Sequence, residues 1–248
     1  MLAAAVIGFV LGLLAGSFAT AVAYRVPRGM SIVGPRSQCP TCGATIAAYD
    51  NVPVFSWLIL RGRSRCCGTS ISPRYPLTEL AVAVVVAAAA LIHHDHPAEI
   101  AIDLVFTTLL AIVTLTDLER RIIPNKVLLV GSIICIAIAA PTDPGSLPER
   151  FIAAAAAGGL LFLTALAYPK GMGLGDVKLA ATMGLFLGRA MAPALLAALL
   201  FGSIIGIALI ARHGPSARKM AIPFGPFLAL GGVLGMLAGT QLMSLYLG

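Results

Sequence analysis

The stretch "LAAAVIGFVLGLLAGSFATAVA", Leu2–Ala23, contains no charged residue. A helix crosses the roughly 30 Å hydrocarbon core of a bilayer with about 20 apolar residues, so this run reads as a membrane span. A cleaved signal peptide is the competing reading. It fits less well, because no basic segment precedes the run and further hydrophobic runs follow it. Of 248 residues, 59% are hydrophobic and 11% charged, and mean hydropathy is +0.97. Such a chain has too few polar groups to cover a soluble globule. The expected fold class is an all-α integral membrane protein.

Seven more apolar runs extend the pattern: Leu77–Ile92, Ile100–Leu118, Val127–Ala140, Phe151–Tyr168, Val177–Gly188, Met191–Ala211 and Pro223–Tyr246. Together they predict about eight transmembrane helices. The short runs from Val127 and Val177 allow tilted, broken or half-helices, which would leave six or seven full spans. Basic residues set the orientation, because short loops rich in Lys and Arg stay cytoplasmic. Of the 17 Lys and Arg residues, only Arg150 and Arg189 fall on one side of an eight-span arrangement. That partition puts both termini outside. A basic inner face beside anionic lipid also accounts for the net charge of +7 without a nucleic-acid partner.

The loop Tyr24–Pro76 breaks the hydrophobic background. At about 50 residues it is too long for a simple connector, and it holds four of the five cysteines. The expected organisation is a first span over 1–23, a small cytoplasmic cysteine-motif domain over 24–76, and a polytopic membrane domain over 77–248. "CPTC" places Cys39 and Cys42 at a spacing from which two thiolates reach one tetrahedral ion. "RCCG" supplies Cys66 and Cys67 as an adjacent pair, and adjacent residues of extended backbone point in different directions. A structural metal site, a set of reduced thiols and a redox dithiol are the readings open here. A disulfide is disfavoured in a reducing cytosol. Cys135, inside an apolar run, reads as a small core residue. In "YDNVPVFSWLILRG", Tyr49–Gly62, the apolar part Val52–Leu60 is too short to span. It is expected to lie against the inner membrane surface or to pack under the cysteine knuckle.

Two acids stand at the cytoplasmic edge of the apolar runs: Asp117 in "TLTDLERRIIPN" and Asp176 in "KGMGLGDVKLA". Each alone reads as a solvated cap, Asp176 being favoured near a helix N-terminus. Their shared depth suggests more. Gly171, Gly173 and Gly175 clear side chains from the approach to Asp176. Two carboxylates in partly dry surroundings cannot both ionise easily, so a shared proton makes one an acid and the other a base. Such a pair activates water against a peptide bond.

"GMGLGD", with "TDLERRIIPN", "IPFGPFLALGG" (Ile222–Gly232), "CPTC", "YDNVPVFSWLILRG" and "SPRYPLTE" (Ser72–Glu79), resembles the type IV prepilin peptidases in this order over nearly the whole chain. These are GxGD-type aspartic peptidases and N-methyltransferases of the bacterial inner membrane. The resemblance implies that Asp117 and Asp176 are catalytic, supported by Gly173 and Gly175, and that prepilins or pseudopilins are the substrates. It implies cleavage on the cytoplasmic side after a glycine, and methylation of the new N-terminus from S-adenosylmethionine. One departure stands out: Ser64 occupies the place where the first cysteine of a second C-x2-C is expected. Zinc ligands are then Cys39, Cys42 and Cys67, with weak metal binding expected, and Cys66 joins only if the chain bends sharply between Arg65 and Gly68.

The remaining polar features have simpler readings. "HHDH", His93–His96, is expected to be a solvated outer loop, and Asp103 to face water. Glu79, Glu119 and Asp50 read as local salt-bridge partners or caps. Two other classes fit parts of the pattern. A transporter would place its acids at midspan, whereas these lie at one edge. A cytoplasm-facing thiol oxidoreductase would use Cys39 and Cys42 but would not need the paired aspartates.

Overall fold

The computed structural model of the protein describes residues 1–34, 36–169, 171–214 and 222–247. Helices α1 (Leu2–Arg25), α3 (Arg74–Ile92), α4 (Pro97–Arg120), α5 (Asn125–Thr142), α6 (Leu147–Ala167), α7 (Leu174–Leu187), α8 (Met191–His213) and α9 (Gly225–Leu247) correspond in order to the eight apolar runs. A five-residue helix, α2 (Phe55–Ile59), lies in the loop between α1 and α3. Among the described residues, six helical stretches are long and apolar enough to cross a membrane. The last of them, Leu174–His213, joins α7 and α8 through a 3₁₀ turn, and Gly225–Gly239 of α9 forms a shorter apolar helical stretch. At 14 residues, α7 is about 21 Å long and falls short of the hydrocarbon thickness.

Apolar helices in lipid gain nothing from hiding apolar surface from water, so they associate through close van der Waals packing of small residues. In α1, Gly8, Gly12 and Gly16 recur every four residues along one face. A methyl group on Gly12 would stand 2.6 Å from the Ala83 backbone, and one on Gly16 would stand 2.6 Å from the Glu79 backbone, so α1 and α3 touch main chain to main chain. Gly158 and Gly184 bring α6 against α7 in the same way, beside Ala181 and Ala154.

Helix α4 is the hub, packing against α1, α3, α5, α7 and α9. Its buried side chains Phe106, Leu109, Leu110 and Val113 meet Leu179, Met183 and Phe186 of α7 and Leu228 of α9. Phe106 stacks on Phe186 with centroids 4.8 Å apart. Cys135 is buried here, as its sequence context suggests.

At the end of the bundle opposite Asp117, the expectation for Asp103 is overturned. It is 5% exposed and its Oδ2 lies 2.7 Å from His93 Nδ1. It lies on the face of α4 that turns inward, and His93 folds back over it at the end of α3. Nearby, buried Arg150 donates to the carbonyls of Leu185 and Phe186 and to Glu99. The fit is physical: α7 ends there, and its last carbonyls have no partner within the helix. Of the basic residues used for orientation, Lys170, Arg218 and Lys219 lie outside the described residues.

Candidate active site and cysteine cluster

Asp117 sits in the last turn of α4, which stops where Arg121 adopts a left-handed conformation (φ 55°) and donates its N–H to the Asp117 carbonyl at 2.9 Å. The chain then runs through Ile122 and Ile123 to Pro124, the residue before α5. Asp176 lies in the first turn of α7, with its N–H on the Gly173 carbonyl at 3.1 Å. Asp117 is 6% exposed and Asp176 half-buried. The turn that opens α7 touches the segment that follows Asp117, with the Ile123 side chain over Gly175.

The Asp117 carboxylate is oriented by a residue that the acids' own sequence context does not reveal. Gly225, the first residue of α9, donates its N–H to Asp117 Oδ2 at 2.9 Å. The first N–H groups of a helix have no partner within it and carry the positive end of the helix dipole, so α9 presents Asp117 with a fixed donor. Glycine lets the carboxylate come this close, since a Cβ on Gly225 would stand 2.7 Å from the same oxygen and push it away. Gly225 lies inside "IPFGPFLALGG", the stretch that could have signalled it.

Two of the glycines before Asp176 do different work. A Cβ on Gly173 would come 3.2 Å from Asp176 Oδ2, so this glycine keeps the carboxylate clear. The space over Gly175 is taken by the Ile123 side chain, which seats α7 against the segment that follows Asp117. Both acids thus stand at helix N-termini, Asp176 on its own helix and Asp117 on α9.

In the loop, two tight turns share one backbone pattern. Cys39 N–H bonds to Ala44 O and Gly43 N–H to Cys39 O; Ser64 N–H bonds to Thr69 O and Gly68 N–H to Ser64 O. Gly43 and Gly68 take φ of 71° and 69°. Isolated bridges Gln38–Thr45 and Arg63–Ser70 close the two turns. Ser64 therefore stands where Cys39 stands in the first turn, and Cys67 where Cys42 stands. The sharp bend that Cys66 requires is supplied by this turn. The sulfurs of Cys39, Cys42, Cys66 and Cys67 all lie within 4.8 Å of one another, with separations of 3.6 Å for Cys39–Cys67, 3.3 Å for Cys42–Cys66 and 3.9 Å for Cys66–Cys67. A tetrahedral zinc with Zn–S bonds of about 2.3 Å sets its sulfurs roughly 3.8 Å apart, so four thiolates of this cluster fit such an ion. Ser64 Oγ lies 3.3 Å from Cys67 Sγ.

The electrostatics also suit a cation. The N–H groups of Cys42 and then Thr41 hold the Cys39 thiol down at about 6. The Ser64 hydroxyl, followed by the Thr69 N–H, lowers Cys67. The Ala44 N–H favours the Cys42 thiolate, but its contact with Cys66, burial and the other thiols push it up to about 12. Without an ion the four thiols cannot all ionise together. Arg65 forks onto Asp50 with bonds of 2.8 to 3.0 Å, tying the second turn to the chain before α2. Glu119 is likewise taken, by Arg28 at 2.8 Å.

Two family models match the chain: the bacterial peptidase A24 N-terminal domain over residues 10–93 and the type IV leader peptidase family over residues 104–211. The "Prepilin leader peptidase/N-methyltransferase" of Bacillus subtilis (strain 168) is 35% identical over 244 residues, covering 96% of each chain. Proteins of the same description from Myxococcus xanthus and Dichelobacter nodosus are 38% and 32% identical, over 87% and 94% of this chain and 66% and 91% of theirs. No solved structure matches.

Proposed function

The chain belongs to the type IV leader peptidase family, and on that premise we propose that it removes the short basic leader of prepilins or pseudopilins and N-methylates the exposed N-terminus. The cut falls after a glycine at the cytoplasmic membrane face. The observation that carries the reading is the buried Asp117 carboxylate, held by the Gly225 N–H at the end of the bundle where α7 opens with Asp176 and packs on Ile123.

The pair holds one proton and one water. The ionised carboxylate takes a proton from the water as its oxygen bonds to the scissile carbonyl carbon, and the protonated partner hydrogen-bonds the carbonyl oxygen as it gains charge. When the C–N bond breaks, the captured proton passes to the leaving amine. The Gly225 N–H holds Asp117 in position throughout, and Gly173 keeps Asp176 open to the peptide. No metal enters this step.

This chemistry needs both acids at the inner surface, which eight spans with both termini outside provide. The layout is a first span over 1–23, a cytoplasmic domain over 24–76 and a peptidase domain over 77–248, in a bacterial inner membrane. Cys39, Cys42, Cys66 and Cys67 hold a structural zinc that ties the two turns together and supplies no chemistry to cleavage. S-adenosylmethionine is the methyl donor.

The test is an assay on membranes with a prepilin, reading the mass lost on cleavage and the methyl gained. Asp117→Asn and Asp176→Asn each abolish cleavage while the protein still inserts, and Cys39→Ser retains it. Substantial cleavage by either Asn variant removes that residue from the mechanism, and loss only in Cys39→Ser would point to thiol redox chemistry instead.

A further inference from the structure

The short helix α2 cannot turn its apolar stripe inward. Phe55, Leu58 and Ile59 stand at i, i+3 and i+4, one face of the helix, and are 58%, 58% and 74% exposed. The other face is fixed by hydrogen bonds. Ser56 Oγ accepts the Val52 N–H and donates to Tyr49 O, both at 3.0 Å, while Trp57 Nε1 donates to Ile71 O at 3.0 Å and its ring covers Gly62. The entry to the helix is strained as well. Val54, a β-branched residue, is held at φ 62°, ψ −52°, with the Phe55 N–H on Pro53 O at 2.6 Å, a γ-turn of the rare positive-φ kind. What holds it is Glu79, whose Oε2 accepts the Val54 N–H at 2.7 Å.

Glu79 fixes the depth. Helix α3 has 19 residues, about 28 Å, and needs nearly all of them to cross a hydrocarbon core of roughly 30 Å. Arg74 therefore marks one membrane boundary, and the Glu79 backbone, five residues further on, lies about 7.5 Å inside it. Helical side chains lean toward the N-terminus, which lifts the carboxylate a few ångströms back toward that surface. Its partner Val54 is then at or below the level of Arg74. Interfacial helices sit about 5–10 Å into this zone. Glu79 is 7% exposed, and a buried carboxylate there requires a donor. Near it in sequence, Leu77 and Leu80 of α3 are 63% and 41% exposed, so α3 also presents apolar side chains outward close to this boundary.

We propose that α2 is an interfacial anchor: Phe55, Leu58 and Ile59 enter the acyl region of the leaflet, and the Glu79–Val54 hydrogen bond locks them there, seating the cysteine-bearing loop on the bilayer rather than above it. The occupant of the stripe is lipid. This inference depends on α3 crossing the membrane and is independent of the roles of Asp117 and Asp176.

Trp57 is the only tryptophan of the chain, so its emission reports the depth of α2 in the full, unmodified protein. The protein is reconstituted into vesicles of phosphatidylcholine and phosphatidylglycerol brominated either near the headgroup end or near the methyl end of the acyl chains. The expected result is blue-shifted emission, at least twofold quenching by the shallow bromines, weaker quenching by the deep ones, and poor access for acrylamide. Glu79→Gln, which keeps an acceptor for Val54, retains the quenching. Glu79→Leu, and Leu58→Asp combined with Ile59→Asp, reduce it. Emission quenched by acrylamide and untouched by bromines at either depth overturns the anchor. So does bromine quenching that disappears when a prepilin is added, which would make the stripe a seat for the substrate helix.

Discussion

Replacing Gly225 with alanine tests the site through a contact that involves neither acid directly. The Gly225 N–H holds Asp117 Oδ2 at 2.9 Å, and an added Cβ would stand 2.7 Å from that oxygen and 3.2 Å from the carboxyl carbon. Ordinary contact begins near 3.4 Å, so the carboxylate must retreat by about 0.7 Å. A displacement of about 1 Å in a reacting group costs on the order of 100-fold in rate. The shift worked here corresponds to roughly 25-fold, or about 2 kcal/mol of barrier. Alanine preserves the backbone donor and is a better helix former than glycine, so the loss is one of position and not of folding. Gly159→Ala, on α6 with open space beside it, is the matched control and should leave cleavage unchanged. The assay is the initial rate of prepilin cleavage by mass spectrometry on reconstituted protein, with thermal unfolding measured alongside. Gly225→Ala cleaving at the wild-type rate, with normal insertion, would refute the claim that the α9 N-terminus positions Asp117.

Because residues acting as a unit do not contribute additively, Asp117→Asn combined with Asp176→Asn should cleave no more slowly than either single variant, and a further large loss would separate their roles. Elemental analysis of purified protein should find one zinc per chain, lost in Cys66→Ser, with cleavage surviving a chelator; full zinc in Cys66→Ser would exclude Cys66 as a ligand. The hydrogen bond to Asp103 raises His93 above its usual value near 6.5. While Asp103 is ionised, the stabilisation from that pair is complete below about pH 6.5 and is lost as pH rises through the raised value. The melting temperature of the wild type should therefore fall relative to His93→Gln from about pH 6 to about pH 9, and a difference independent of pH would exclude this titration. A cysteine placed at Arg36, in a background lacking the native thiols, should resist an impermeant thiol reagent in intact cells while one at Asp143 labels readily; the reverse pattern would invert the topology.

Membrane class and the order of the helices were legible in the sequence because hydropathy is a local sum: each apolar run needs only its own residues to become a helix in lipid. The two acids could be singled out as a candidate pair, and the cysteine spacing as a candidate cluster, for a similar reason, since short motifs carry their own geometry. The sequence also left the apolar part of "YDNVPVFSWLILRG" divided between a membrane surface and the cysteine knuckle; the structure ties one side of α2 to Tyr49 and Ile71 and leaves Phe55, Leu58 and Ile59 exposed on the other. What it could not supply were relations set by how helices rotate against one another. Gly225 and Asp117 are 108 residues apart, and their hydrogen bond exists only because α9 begins beside the last turn of α4. Asp103 was read as facing water because it is an acid near a helix end, but the packing of α4 turns it inward and His93 closes over it. Adjacency argued against Cys66 as a partner for the other thiols, yet a left-handed Gly68 and the backbone bonds of Ser64 fold the turn so that its sulfur joins them. Local sequence selects an element and its composition; which atoms of distant elements share one low-dielectric site is decided by close packing, where fractions of an ångström determine whether a donor, a carboxylate or a thiol fits.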